Sequence, residues 1–119
     1  MYDPRRAAAE AGIAVEVADL GGWGGRLISE YDAPARTIRV NERALDAYRR
    51  ACGELDSCMV RTFIDLAVAH ELYHHREAAG EIERCATPAG REAAADAFAR
   101  ARVPVDARLA AFLEREAAS

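Results

Sequence analysis

Residues 68–75 of the chain read VAHELYHH and contain the pattern His-Glu-x-x-His. On a helix, positions i and i+4 lie on one face, so His70 and His74 can direct two imidazoles at one ion. Glu71 projects about 100° away around the axis, beside such an ion. A carboxylate there can take a proton from a water molecule that a metal activates. The pattern predicts a metal-dependent site, with the alternative that a surface helix happens to carry two histidines.

The composition predicts one globular domain. The 119 residues suffice for a single core, and 51% apolar with 30% charged residues is typical of folded proteins. The net charge of −4 gives no electrostatic reason to expect nucleic acid or an anionic membrane as a partner. All sixteen basic residues are arginines. We interpret this bias as the mark of a GC-rich genome and not as a recognition surface.

The sequence also predicts a cytoplasmic protein with free thiols. No run approaches the roughly 20 apolar residues of a membrane span, and the opening residues MYDPRR lack the apolar core of a signal peptide. Cys52, Cys58 and Cys85 are odd in number and lack zinc-knuckle spacing, so we expect free thiols. A Cys52–Cys58 disulfide is the alternative.

An α+β fold is expected, with a small sheet packed on a helical layer. Three short β-branched segments with tight links predict an antiparallel meander, which is too small to stand without helices. Between the first two strands, Trp23 lies among four glycines, and we expect it to pack against the protein instead of contacting a ligand. The predicted strands are residues 13–17, 26–31 and 36–40, and the predicted helices are 4–11, 41–52, 59–79, 91–102 and 106 onward.

A catalytic zinc site has three protein ligands and an open position, so the two histidines need a third. His75 adjoins His74 but points about 100° away around the helix. Glu77 lies roughly 10 Å along the axis from His70, beyond the site. The third ligand is therefore expected from another element.

Glu92, on the following helix, is the best candidate for the third ligand. The connection before it is long enough to bring the two helices side by side. Asp96 lies one turn further on the same face, where a carboxylate can accept the outer N–H of a ligand histidine. The alternative is that both are solvated acids in the first turns of a helix, where the helix dipole favours them.

These segments together resemble the gluzincins, in which His-Glu-x-x-His is followed one helix later by Glu and, four residues beyond, by Asp. Within that class the chain looks most like the ImmA/IrrE-like peptidase domain or the compact minigluzincins. The resemblance covers about residues 13–102 and is carried by IRVN at 38–41, LAVAHELYHH at 66–75 and EAAADAFA at 92–99.

The resemblance implies a minimal zincin-like fold and a zinc-dependent endopeptidase that hydrolyses a peptide or protein substrate. One Zn²⁺ per chain would be held by His70, His74 and Glu92. Glu71 would be the general base, and Asp96 would support a ligand histidine. The alternative is a catalytically weak or inactive module of the same fold that binds a protein such as a transcriptional repressor.

The chain departs from the family pattern at two places. Tyr73 stands where members commonly have glycine, and residues 100–104, RARVP, replace a Leu-Leu-Met-Pro-like continuation. In minigluzincins a C-terminal segment can cover the cleft, and the helix from Asp106 onward is the candidate here. The candidates for stabilising the oxyanion are Tyr31, Tyr48, Tyr73 and His75.

Overall fold

Five helices and one three-stranded sheet make up the part of the chain that the computed structural model describes, residues 2–21 and 28–118. The α+β class is confirmed. Trp23 and the first two residues of the predicted strand 26–31 lie outside the described residues. In chain order the elements are α1 (Pro4–Glu10), β1 (Ala14–Ala18), β2 (Ser29–Asp32), β3 (Thr37–Asn41), α2 (Glu42–Cys52), α3 (Ser57–Ala78), α4 (Pro88–Arg102) and α5 (Ala107–Ala118).

The sheet is mixed, so the prediction of an antiparallel meander is wrong. β3 lies in the centre, parallel to β1 and antiparallel to β2. Ile38 and Val40 of β3 have no exposed surface, and a strand buried this deeply is stabilised by a neighbour on each edge. The tight turn joins only β2 to β3. β1 and β2 lie on opposite edges of β3 and are separated by a longer stretch of sequence, from Ala18 to Ser29.

Polar side chains cap the starts of α3 and α4. Asp56 accepts a hydrogen bond from the N–H of Met59 at 2.8 Å, and Thr87 accepts one from Gly90 at 3.0 Å. Pro88 occupies the first turn of α4, where a missing N–H leaves no bond unmade. For this reason α4 begins three residues earlier than predicted, since the proline belongs to the helix and not to the connection.

The main core lies between the sheet, α1, α2, α5 and the first half of α3. Tyr48, Phe63 and Phe112 meet there with ring centroids 5.2 to 6.5 Å apart, and each is at most 1% exposed. Phe63 precedes His70 by about two helical turns. α5, the candidate cover for the cleft, buries Leu109 and Phe112 in this core.

α4 packs on the second half of α3 through alanines. Ala69 of α3 and Ala95 and Ala99 of α4 are at most 1% exposed. Side chains this small let two helices approach closely, so polar groups next to the contact can meet across it. This contact positions the candidate site.

The structure also bears on the predictions about the cysteines and about membrane spans. Cys52, Cys58 and Cys85 are all free, as expected. Across residues 2–21 and 28–118, no helix has both the length and the apolar character that crossing a membrane requires.

Candidate metal centre

His70 and His74 of α3 and Glu92 of α4 bring their ligand atoms to one point. The two Nε2 atoms are 3.2 Å apart. Glu92 Oε2 lies 2.9 Å from His70 Nε2, and its Oε1 lies 3.1 Å from His74 Nε2. Ligands that hold an ion tetrahedrally at about 2.0–2.1 Å are roughly 3.3 Å from one another. The group can therefore bind a metal ion, and Glu92 is the residue that joins the two histidines.

A carboxylate next to the other ring nitrogen of each histidine sets its tautomer. Asp96 Oδ1 is 2.8 Å from His70 Nδ1, and Glu77 Oε1 is 2.8 Å from His74 Nδ1. An ionised carboxylate only accepts hydrogen bonds, so these two contacts favour a proton on Nδ1 of each ring. In the neutral tautomer with the proton on Nδ1, each Nε2 keeps a lone pair that faces the other ligand atoms.

This donor arrangement fits a cation. The Nε2 atoms of His70 and His74 and the carboxylate of Glu92 lie within 3.2 Å of one another, so that a proton on an imidazole or a metal ion can stand among them. Acceptors at these distances repel one another unless positive charge lies among them. Two imidazoles and one carboxylate also form the ligand set of one class of catalytic zinc sites, which keeps one position open.

The surroundings of His70 favour positive charge. Burial opposes the imidazolium form, but the hydrogen bond to Asp96 and the charges of Glu71, Asp96 and Glu92 outweigh it and raise the pKa of His70 to about 9. Carboxylates that stabilise a proton on the ring in this way also stabilise a metal ion at the same place.

Glu71 lies beside the ligand atoms and not among them. Its Oε2 is 3.9 Å from His70 Nε2 and accepts a hydrogen bond from Ser29 Oγ at 2.7 Å. The residue is 5% exposed. Burial raises the pKa of Glu71, although the charge of His70 and the hydrogen bond from Ser29 act in the other direction. A carboxylate with a raised pKa next to a metal centre is suited to accept a proton.

Besides the contact between Ser29 and Glu71, β2 makes a second contact with α3. The hydroxyl of Tyr31 is 2.8 Å from His75 Nδ1, and the two rings meet edge to face with centroids 5.4 Å apart. Ser29 and Tyr31 project from the same side of β2, while Glu71 and His75 share one face of α3. The two contacts therefore hold the strand along the helix face that carries Glu71.

The four candidates for the oxyanion differ in position. Tyr48 is 1% exposed within the main core, so it cannot reach the metal centre. Tyr73 packs against Phe98 of α4 with ring centroids 5.5 Å apart, and thus fills space between the helices where the resembled family commonly has glycine. Tyr31 and His75 remain as candidates for stabilising the oxyanion, and they form a hydrogen bond with each other where β2 contacts α3.

Sequence reasoning missed two residues of this site. Glu77 was placed beyond the ligand atoms, yet its carboxylate reaches the outer nitrogen of His74. The signal was available, since residues three apart on a helix are neighbours. Ser29 precedes Glu71 by 42 positions and carries no local signal, because only the packing of β2 on α3 brings them together.

Family models, curated proteins and solved structures were each searched, and none of them matches this chain.

Proposed function

We propose that the chain is a zinc-dependent peptidase of the gluzincin type, with a zincin-like fold. The observation that supports this most strongly is the convergence of the ligand atoms of His70, His74 and Glu92, with the buried Glu71 next to them. Metal ligands alone would suit a structural site as well. The buried carboxylate at the edge of the ligand set favours catalysis.

His70, His74 and Glu92 would hold one zinc ion and leave a position open for reactants. When bound, zinc lowers the pKa of water from 15.7 towards about 7 and polarises the carbonyl of the scissile bond. Asp96 would accept the Nδ1 proton of His70 and so leave the lone pair of Nε2 free for the metal.

Glu71 takes the proton of the attacking water and later delivers it to the leaving amine. A carbon–oxygen bond forms at the carbonyl carbon and the carbon–nitrogen bond breaks, so the base is unchanged at the end. The hydrogen bond from Ser29 restrains rotation of the Glu71 carboxylate and keeps it beside the ligand atoms.

An extended substrate would lie along the outer edge of β2. In the described sheet β2 is an edge strand, paired only with β3. Its Ser29 and Tyr31 contact the helix that carries Glu71, so this edge runs past the metal centre. Backbone hydrogen bonds to such an edge bind peptides with little regard to side chains.

Zinc content is the first test. Elemental analysis of protein purified without a histidine tag should find about one equivalent of zinc per chain, because two imidazoles and a carboxylate brought together in this way are zinc ligands. Less than about a tenth of an equivalent after reconstitution with zinc would contradict the proposal.

Cleavage is the second test, with mass spectrometry of a diverse peptide mixture as the measurement. Glu71→Gln should keep zinc and lower the rate of cleavage by about 10²–10⁴-fold, since it removes the base and leaves the ligands. Glu54→Gln is the matched control, because Glu54 is exposed in the link between α2 and α3. Equal rates in both variants would remove Glu71 from the mechanism. An effect on a partner protein that survives in Glu71→Gln would favour the binding module.

A further inference from the structure

The surroundings of Glu77 disfavour a carboxylate in three ways. The residue lies in the last turn of α3, where the helix dipole repels negative charge. Its side chain is 4% exposed. Its Oε2 is the one buried side-chain oxygen or nitrogen without a hydrogen-bond partner in the described parts of the chain. Each of these features lowers the stability of the fold.

One contact stands against these unfavourable features. Glu77 Oε1 accepts the Nδ1 proton of His74 at 2.8 Å, and this is its ion-pair partner among the described residues. Because Glu77 is almost fully buried, water does not compete for this proton. The corresponding carboxylate on His70 is Asp96, whose side chain is 62% exposed.

We propose that Glu77 is a positioning residue that orients His74 as a metal ligand, which rests on the metal site of the proposed function. By accepting the Nδ1 proton, it leaves the lone pair on Nε2, towards Glu92 and His70. The negative charge behind the ring also makes Nε2 a stronger donor to a cation. Each ligand histidine then has its own carboxylate, one on α3 and one on α4.

A positioning role and a purely structural role for Glu77 predict different effects on stability and on metal affinity. A carboxylate that holds the fold together lowers stability when it is removed. Replacing Glu77 by an apolar side chain of similar length removes the unpartnered Oε2 but also leaves the Nδ1–H of His74 without its acceptor. These two effects oppose each other, so the stability of the metal-free protein should not fall appreciably. The loss should appear in the affinity for metal.

The test uses Glu77→Met, which removes the acceptor, and Glu77→Gln, which keeps an oxygen acceptor without the charge. Zinc affinity is measured by competition with a chelator, and the stability of the metal-free protein by its thermal midpoint. Glu77→Met should raise the Kd for zinc about 10–100-fold with an unchanged or higher midpoint. Glu77→Gln should lie between wild type and Glu77→Met.

Asp65→Asn is the matched control. Asp65 is another carboxylate of α3, 20% exposed, and it accepts a hydrogen bond from Arg5 at 2.9 Å. Because this pair joins α1 to α3 away from the ligands, the variant should lower the midpoint and leave the Kd for zinc unchanged.

A Kd for zinc equal to that of wild type in Glu77→Met overturns the positioning role while the metal site stands. The positioning role is also overturned if the weaker zinc affinity of Glu77→Met is accompanied by a lower thermal midpoint of the metal-free protein. If Glu77→Met does not fold, Glu77→Gln decides, since an unchanged Kd in that variant excludes the role. Wild-type protein that binds no zinc overturns the metal site itself. Cobalt(II) gives a further measurement, because its visible absorption should change in Glu77→Met if His74 is reoriented.

Discussion

The two halves of α3 differ in what they contact. The first half buries Phe63, Ala67 and Val68 in the main core together with side chains of α2, α5 and the sheet. The second half, from Ala69 onward, adds only Leu72 to that core, packs on the alanines of α4 and carries the charged site. One helix thus combines an apolar anchor with a polar centre.

The difference shows how unfavourable groups are tolerated in a small protein. Glu71 and Glu77 are both buried acids, and acids are rarely buried without partners. Both lie on α3, which the packing of Phe63 and its neighbours in the main core already stabilises. The contacts within the site therefore do not have to stabilise this helix. Four predictions test this separation, from the largest expected effect to the smallest.

Phe63→Ala should weaken the packing of the first half of α3 and leave zinc binding in the second half unchanged. Removing a fully buried ring should lower the free energy of unfolding by about 3–5 kcal/mol, measured by urea denaturation of the metal-free protein. Zinc bound per folded chain should stay at the wild-type value. The control is Cys58→Ala in the same half of α3, an exposed position where a change of about 0.5 kcal/mol or less is expected. A proportional loss of zinc binding in folded Phe63→Ala would show that the halves are not separable.

Zinc should stabilise the second half more than the first. At a free zinc concentration of about 100 times the Kd, binding should add roughly 2.7 kcal/mol to the free energy of unfolding. Hydrogen exchange should slow most in α4 and in the second half of α3, because Glu92 links these elements through the ion. Equal slowing around Phe63 and around His74 would argue against a local effect.

Ala99→Leu should disturb the contact that brings α4 to α3. Ala99 is 1% exposed, and a larger side chain there should lower the free energy of unfolding by about 1–3 kcal/mol. Because the overpacked helix moves Glu92 away from the histidines, the Kd for zinc should also rise. Ala97→Leu, on the exposed face of α4, should change neither quantity appreciably. Unchanged zinc affinity in Ala99→Leu would show that Glu92 does not depend on this contact.

Asp32→Asn should have the smallest effect and none on the site. The hydrogen bond from Arg39, followed by that from the N–H of Ala35, lowers the pKa of Asp32 below its ordinary value of 3.8. Because the pKa of Asp32 is lower in the folded protein than in the unfolded chain, the ionised carboxylate stabilises the fold above pH 3.8. This contribution is lost as the pH falls through the pKa of Asp32 in the folded protein. The difference in urea midpoint between wild type and variant should therefore be present at neutral pH and shrink in acid. A difference that grows in acid would contradict the assignment.

Much of the candidate site could be predicted because it follows helical spacing. His70, Glu71 and His74 lie on one short stretch, and Glu92 and Asp96 are one turn apart on the next helix. Ser29 and Tyr31 could not be predicted in this way. Their positions depend on how β2 packs across α3, which no local pattern encodes.

The fold was predictable at the level of its elements and not of their pairing. Capping residues such as Asn41 and Asp106 mark where helices begin, and both accept backbone hydrogen bonds as expected. Strand order was predicted wrongly because β-branched composition indicates a strand but says nothing of its neighbour. The burial of Ile38 and Val40 selects β3 as the centre, and burial is a property of the whole fold.

The parallel pairing of β1 with β3 has a consequence for the order of folding. Ala14 pairs with Thr37 across 23 positions, whereas Asp32 pairs with the same residue across five. Closing the longer loop loses more chain entropy, so the β2–β3 hairpin should form first and β1 should add late. Kinetic φ-values for Val15→Ala should then be near zero, and those for Ile38→Val clearly higher. The strand that contacts Glu71 would then join β3 before the N-terminal strand does, so this side of the site does not wait for β1.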